Sequence, residues 1–192
     1  MARPLTELYD RLDQIDGVLK ALRGDVSRLE NQLGPPAPTD PFSEAAGARR
    51  LFVRAVFALI EAIVEQHKLL LLDLVECGVI SLGDGVAQTL SEKKYLYLPL
   101  RQKIQTVYGT AGAAFEQPID PLGDGHGWQA FESATGTRNH ITHPKSFEQC
   151  LVTFPELETV KNAEKWFRAV NAGFVSVAGQ HRNSHSNWLR PT

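Results

Sequence analysis

Apolar residues recur at alternating spacings of three and four near the start of the chain. The positions in this series are Leu5, Leu8, Leu12, Ile15, Leu19, Leu22, Val26, Leu29 and Leu33. Because this period keeps one narrow apolar seam on a single side of a helix, it predicts a coiled-coil helix over residues 1–34 that joins two or more chains. An amphipathic helix that packs on the rest of its own chain has a similar pattern, so that interpretation stays open.

A proline-rich segment follows this helix. Residues 35–41 contain four prolines, which cannot continue a helix and favour extended backbone. We therefore place a linker there, between the coiled coil and the main domain. Asp40 or Ser43 can cap the helix that comes next, and Pro41 is tolerated in a first turn.

Helical periodicity dominates residues 42–178. A wide apolar face predicts a long helix from Phe42 to Cys77, and Pro99 suits the first turn of a further helix. Glycines and prolines predict a loop over residues 118–127, and another helix should run from Trp128 to about His143, where Pro144 ends it. Thr153 can cap a last helix.

Strand-like alternation of apolar and polar residues is not convincing anywhere in the sequence. The pattern therefore predicts an all-α fold, a four- to five-helix up-down bundle over residues 42–178 preceded by the coiled-coil helix. Residues 179–192 are polar and irregular, which predicts a loose tail. His67 lies on the apolar side of the first long helix, where we expect a core histidine with one hydrogen-bond partner.

Charge and cysteine content narrow the functional classes. The net charge of −2 over 192 residues argues against a broad electrostatic contact with nucleic acid, so RNA would need a local basic patch. Cys77 and Cys150 form no CxxC pair, and two reduced thiols in a cytoplasmic protein are the better interpretation. The most apolar stretch, residues 51–80, carries too many charges to be a membrane span.

Polar groups suited to chemistry are concentrated in residues 137–145. Arg138 offers a planar fork of donors for phosphate oxygens, and His143 can exchange a proton with an oxygen near neutral pH. Asn139 can hold either the imidazole or a phosphate oxygen, and Lys145 adds positive charge. RNA cleavage needs no more than these groups and no metal, because the neighbouring 2′-hydroxyl supplies the nucleophile.

The segment resembles the signature of the HEPN superfamily, in which an arginine is followed after four to six residues by a histidine. Here these are Arg138 and His143, with the polar Asn139 after the arginine. The surroundings also resemble that family over residues 42–178: two long helices, a Trp-containing helix before the motif, then Pro144-Lys145 and a helix with Trp166-Phe167.

The resemblance implies a homodimer whose two motifs face each other and form a metal-independent endoribonuclease. Many such proteins are toxins or defence nucleases, which would add an antitoxin protein to RNA as a partner, and other relatives bind nucleotides or proteins without cleaving RNA. We expect His143 to act as general acid or base, Arg138 to stabilise the transition state and Asn139 to orient one of them. His140, Thr142 and Lys145 would be substrate contacts.

Two simpler interpretations compete with this one. Arg138 could pair with an acid at the bundle surface, and His143 could be stabilised by the C-terminal end of the helix dipole. The chain would then be a non-catalytic module that assembles through its coiled coil and binds a protein or a nucleotide. No acidic or histidine partner at helix spacing completes a metal site with His140 and His143, so we expect neither a metal nor another cofactor.

Overall fold

The computed structural model describes residues 5–33, 39–123 and 125–184, without the side chains of residues 5–9, 11, 12 and 181–184. The helices are α1 (Leu5–Glu30), α2 (Glu44–Glu76), α3 (Val86–Ser91), α4 (Lys93–Leu96), α5 (Leu100–Ala114), α6 (Gly125–Thr142) and α7 (Phe154–Ser184). A 3-10 helix, Glu148–Cys150, lies between α6 and α7. These residues contain no strand, which confirms the predicted all-α class.

Helix α2 is the centre of the fold. It contacts α1, α5, α6 and α7, so its apolar residues occupy most of its circumference rather than one narrow stripe. Its nearly inaccessible apolar side chains are Phe52, Val53, Val56, Phe57, Ile60, Ile63, Val64 and Leu71. Among the described helices, none combines the length and apolar character that crossing a membrane requires.

Helix α1 packs along α2 of the same chain. Leu19 and Val26 of α1, and Leu33 just after its end, are buried in the common core. From residue 15 onward the apolar seam therefore packs on the core of its own chain, as expected for an amphipathic helix. The side chains of Leu5, Leu8 and Leu12 lie outside the described part, and association of chains through a coiled coil stays a prediction.

The ends of α2 and α7 carry the caps that the sequence predicts. The Ser43 hydroxyl accepts a hydrogen bond from the Ala46 amide at 3.2 Å, whereas Asp40 accepts from the Phe42 amide at 2.9 Å. Thr153 and Glu156 form a reciprocal capping box, in which Glu156 Oε2 accepts from the Thr153 amide at 2.8 Å. Residues 35–38 of the predicted linker lie outside the described residues.

Two helix boundaries differ from the sequence prediction. Helix α6 begins at Gly125, inside the segment predicted as a loop, and α7 continues to Ser184 instead of ending near residue 178. The loop prediction rests on glycines and prolines and the tail prediction on polar composition, whereas a helix continues wherever its backbone hydrogen bonds do and no proline stops it. The rest of the predicted tail, residues 185–192, lies outside the described residues.

His67 is a core histidine, as the sequence predicts. Its ring stacks on Phe174 with centroids 3.7 Å apart, and its Nδ1 lies 3.1 Å from the Tyr108 hydroxyl. Burial, with a smaller contribution from the charge of Arg23, lowers the pKa of His67 to about 3. The imidazole is therefore neutral at ordinary pH and is used for packing.

The low pKa of His67 predicts a loss of stability in acid. The folded-state pKa lies below the ordinary value of 6.5, so the unfolded chain binds the proton first as the pH falls. Between these two values the free energy of unfolding should fall by up to about 1.4 kcal/mol per pH unit because of this group. Measured by urea unfolding between pH 7 and pH 4, the free energy of unfolding should fall more steeply with falling pH in the wild type than in His67→Asn. The same pH dependence in both proteins would contradict a neutral buried imidazole.

A glycine sets how closely α6 approaches α7. A Cβ atom placed on Gly127 would lie 2.2 Å from Trp166 Cδ1, far inside van der Waals contact. Trp166 cannot simply turn away, because its indole N–H donates to the Pro121 carbonyl at 3.2 Å and its ring packs against Trp128 and Phe131. The close approach of the two helices therefore requires glycine at this position.

Two alanine substitutions in α6 test this requirement. Gly127→Ala should lower the free energy of unfolding in urea by about 1–3 kcal/mol, because the added methyl group overpacks the core. Gly136→Ala, where no neighbouring atom lies within 4 Å, should raise it by up to about 1 kcal/mol through helix propensity. A Gly127→Ala protein as stable as the wild type would show that α6 and α7 are not closely packed there.

Candidate functional site

Three arginines of α2 hold the segment that follows the candidate motif. We call residues 143–153, between α6 and α7, the connector. Arg54 Nη2 donates to the Ile141 carbonyl at 3.0 Å, at the end of α6. Arg50 Nη1 donates to the Cys150 carbonyl at 2.8 Å, and Arg49 Nη1 donates to the Val152 carbonyl at 3.2 Å. Both ends of the connector are thereby fixed against α2.

Arg138 is oriented by a carboxylate from a distant part of the chain. Its Nη2 lies 3.0 Å from Glu61 Oε1 on α2, and its Nη1 donates to Asn139 Oδ1 at 3.3 Å. The side chains of Arg138 and Glu61 are 37% and 47% exposed. Because the guanidinium keeps this exposure, part of its donor fork stays accessible to an anion from solvent.

Asn139 lies next to Arg138 in the last turns of α6, and His143 follows directly after the helix. The backbone N–H of His143 donates to the Asn139 carbonyl at 3.0 Å, and both side chains are exposed. In the described residues no hydrogen bond joins the imidazole of His143 to Arg138 or Asn139. The structure therefore brings the three groups to one exposed helix end and directly connects the first two.

The remaining motif residues have different surroundings. The Thr142 hydroxyl donates to the Arg138 carbonyl at 2.6 Å and so is used within its own helix. His140 lies towards α7, with its Nε2 buried at 3.4 Å from Glu156 Oε1 but outside hydrogen-bond geometry. Lys145 is exposed, and its backbone N–H donates to Gln149 Oε1 at 2.7 Å. Among these three residues, Lys145 is the best placed to contact a substrate.

Sequence reasoning missed two features of this end of the molecule. Glu61 belongs to the polar side of α2, but no local signal connects it with Arg138, 77 positions away. The rings of Phe42 and Phe147 meet edge to face, with centroids 5.3 Å apart and an interplanar angle of 64°. They lie in separate loops, and neither belongs to a periodic pattern that could have paired them.

The three arginines of α2 that contact the connector and the end of α6 have neutral partners. Arg49, Arg50 and Arg54 donate to backbone carbonyls and form no ion pair within the described part of the chain. A hydrogen bond from the Ser146 side chain lowers the pKa of the Glu148 carboxyl, so this acid stays ionised. In residues 5–33, 39–123 and 125–184, no three His, Cys, Asp or Glu side chains form a group that could hold a metal ion.

Comparisons with known proteins do not assign this chain to a family. No protein-family model matches it, and neither a curated protein nor a solved structure is significantly similar to it. The resemblance to the HEPN signature therefore depends on Arg138, Asn139 and His143 and on the order of the helices around them.

A double-mutant cycle measures how firmly Glu61 holds Arg138. Because both groups are partly exposed, Arg138→Gln and Glu61→Gln should show a coupling of about 0.2–1 kcal/mol in urea unfolding. The exposed pair Arg101 and Glu132, 2.9 Å apart, is a matched control and should give a similar value. A coupling above about 2 kcal/mol for the first pair alone would mean that Arg138 is mainly structural.

Proposed function

We propose that this chain is a metal-independent endoribonuclease of the HEPN type that acts as a homodimer. The observation that carries the proposal is the placement of Arg138, Asn139 and His143 on one exposed turn at the end of α6. The hydrogen bonds from Arg138 to Glu61 and Asn139 keep its guanidinium in one orientation before a substrate arrives. Such preorganisation is what stabilisation of a charged transition state needs.

Arg138, Asn139 and His143 have separate roles in the proposed cleavage of RNA. The 2′-hydroxyl of RNA attacks the adjacent phosphorus, its proton leaves to a base, and the 5′-oxygen of the next nucleotide departs with a proton from an acid. His143 serves as one of these proton carriers. Arg138 stabilises the negative charge that accumulates on the phosphorane-like transition state. Asn139 orients Arg138 through the hydrogen bond between them.

A second copy of the chain completes the site. One imidazole cannot act as base and acid in the same event, and the described motif supplies only His143 in an exposed position next to Arg138. Two chains that meet at the end of α6 would bring two histidines and two arginines to one phosphate. Association of two chains through α1 would support the same dimer, although the apolar seam of α1 packs on α2 of its own chain from residue 15 onward.

An activity of this kind suggests a biological role. Cleavage of cellular RNA in the cytoplasm would make the protein a toxin or a defence nuclease, restrained by an antitoxin protein until it is needed. This part of the proposal follows from the family resemblance alone.

One observation favours a non-catalytic alternative. Arg138 already has a carboxylate partner, Glu61, and an exposed ion pair is common on the surface of a helical bundle. The chain would then be a helical module that binds a protein or a nucleotide. The net charge of −2 agrees with this alternative, because it provides little general attraction for RNA.

Cleavage of mixed RNA in excess EDTA separates the two functions. The wild-type protein should cleave, and His143→Ala and Arg138→Ala should each lower the rate by about 10²- to 10⁴-fold, since each removes a group that acts on the transition state. His126→Ala is the matched control, because His126 is an exposed histidine at the opposite end of α6. It should cleave at the wild-type rate.

Two outcomes would contradict the nuclease proposal. The wild-type protein would not cleave, or cleavage would persist unchanged in both variants, as expected for a contaminating nuclease. Circular dichroism of each variant should match the wild type, because both side chains are at least partly exposed and neither belongs to the core.

A further inference from the structure

Two phenylalanine rings are held in solvent, and one of them belongs to the connector that begins at His143. Phe42 is 84% exposed and Phe147 is 51% exposed, and the two rings touch edge to face. Folding does not explain this position, because rings with such exposure contribute little to the core. Phe147 lies in the connector, four residues after His143 and two after Lys145.

The backbone beside both rings is fixed although the rings are exposed. Arg50 bridges the two loops, because its Nη1 donates both to the Pro41 carbonyl at 2.9 Å and to the Cys150 carbonyl at 2.8 Å. The Phe42 amide donates to Asp40, and the Cys150 amide donates to the Phe147 carbonyl at 3.0 Å. The pair is thus a preorganised aromatic surface, which lowers the entropy cost of binding a ligand.

The charges around the pair are mixed. Lys145 and the guanidinium groups of Arg50 and Arg54 are positive and form no ion pair within the described residues. The carboxylates of Asp40, Glu44 and Glu148 lie in or next to the same segments and offset this charge. Such a surface suits one or two nucleotides, whereas a long duplex needs a continuous basic track.

We propose that Phe42 and Phe147 form a stacking surface for an unpaired base of single-stranded RNA, with Lys145 contacting a neighbouring phosphate. The inference rests on the proposed function, since it takes RNA as the substrate, and it adds that the RNA must be single-stranded near the cleaved bond. Bases in a duplex cannot present a free face, whereas splayed bases stack readily on aromatic side chains. The site would therefore select loops and single strands.

Binding can be measured without cleavage in full-length protein that carries His143→Ala. The probes are a fluorescein-labelled oligouridine and a blunt-ended RNA duplex with the same label, read by fluorescence anisotropy. Adding Phe147→Ala should weaken oligouridine binding about 5- to 100-fold and leave binding of the duplex unchanged. Adding Tyr97→Ala, which removes a 76% exposed aromatic ring at the end of α4, should change neither.

Conservative variants distinguish stacking from a general apolar contact. Phe147→Trp keeps an aromatic face and should bind oligouridine at least as well as the parent. Phe147→Leu keeps an apolar side chain without that face and should bind as weakly as Phe147→Ala. Full binding by Phe147→Leu would overturn the proposal, and so would a lower mass of Phe147→Ala in light scattering, because the pair would then join copies of the chain.

The two proposals can fail separately. If the wild-type protein cleaves RNA, and Phe147→Ala leaves oligouridine binding unchanged in the His143→Ala background and cleavage unchanged in the wild-type background, the stacking surface is wrong and the nuclease proposal stands. If oligouridine binding depends on Phe147 but the wild-type protein does not cleave, the stacking surface stands and the nuclease proposal is wrong. Absence of oligouridine binding by the His143→Ala parent would overturn the stacking surface.

Discussion

The connector and the end of α6 depend on guanidinium groups from α2. A loop that lies against a bundle must find donors for its carbonyl oxygens, and a buried arginine must find acceptors for its N–H groups. Arg49 is only 1% exposed. Its Nη1 donates to the Val152 carbonyl, whereas its Nε has no hydrogen-bond partner among the described residues. Arg50 and Arg54 repeat the arrangement with carbonyls of residues 150 and 141. These hydrogen bonds hold the end of α6 and the connector against α2.

The two ends of α6 are positioned by different physical effects. At its beginning, Gly127 lets Trp166 of α7 approach to a distance that no other residue permits, so shape and apolar packing set the position. At its end, the side chain of Ile141 is buried in the core, and charged hydrogen bonds from Arg54 to the Ile141 carbonyl and from Arg138 to Glu61 add to this packing.

The sequence predicts those features that depend on neighbouring positions. Ser43, Thr153 and His67 are found as expected, because caps and helix faces follow from spacing along the chain. The all-α class follows from the same periodicity. The partner of α1 does not follow from this periodicity, because the same apolar seam can pack on a second chain or on α2 of its own chain. The contact between Arg138 and Glu61 also escapes prediction, because α2 carries several exposed acids and only the packing of α6 on α2 selects one.

The ion pair between Arg138 and Glu61 is only a weak argument against phosphate binding by Arg138. An exposed ion pair contributes roughly 1 kcal/mol at most, so exchanging Glu61 for another anion costs little. A phosphate diester can accept two parallel hydrogen bonds from the planar guanidinium, a geometry that gives both strength and orientation. Glu61 also prevents the free arginine from sampling many rotamers, which reduces the entropy that substrate binding must overcome. The carboxylate is therefore compatible with an arginine that binds a phosphate.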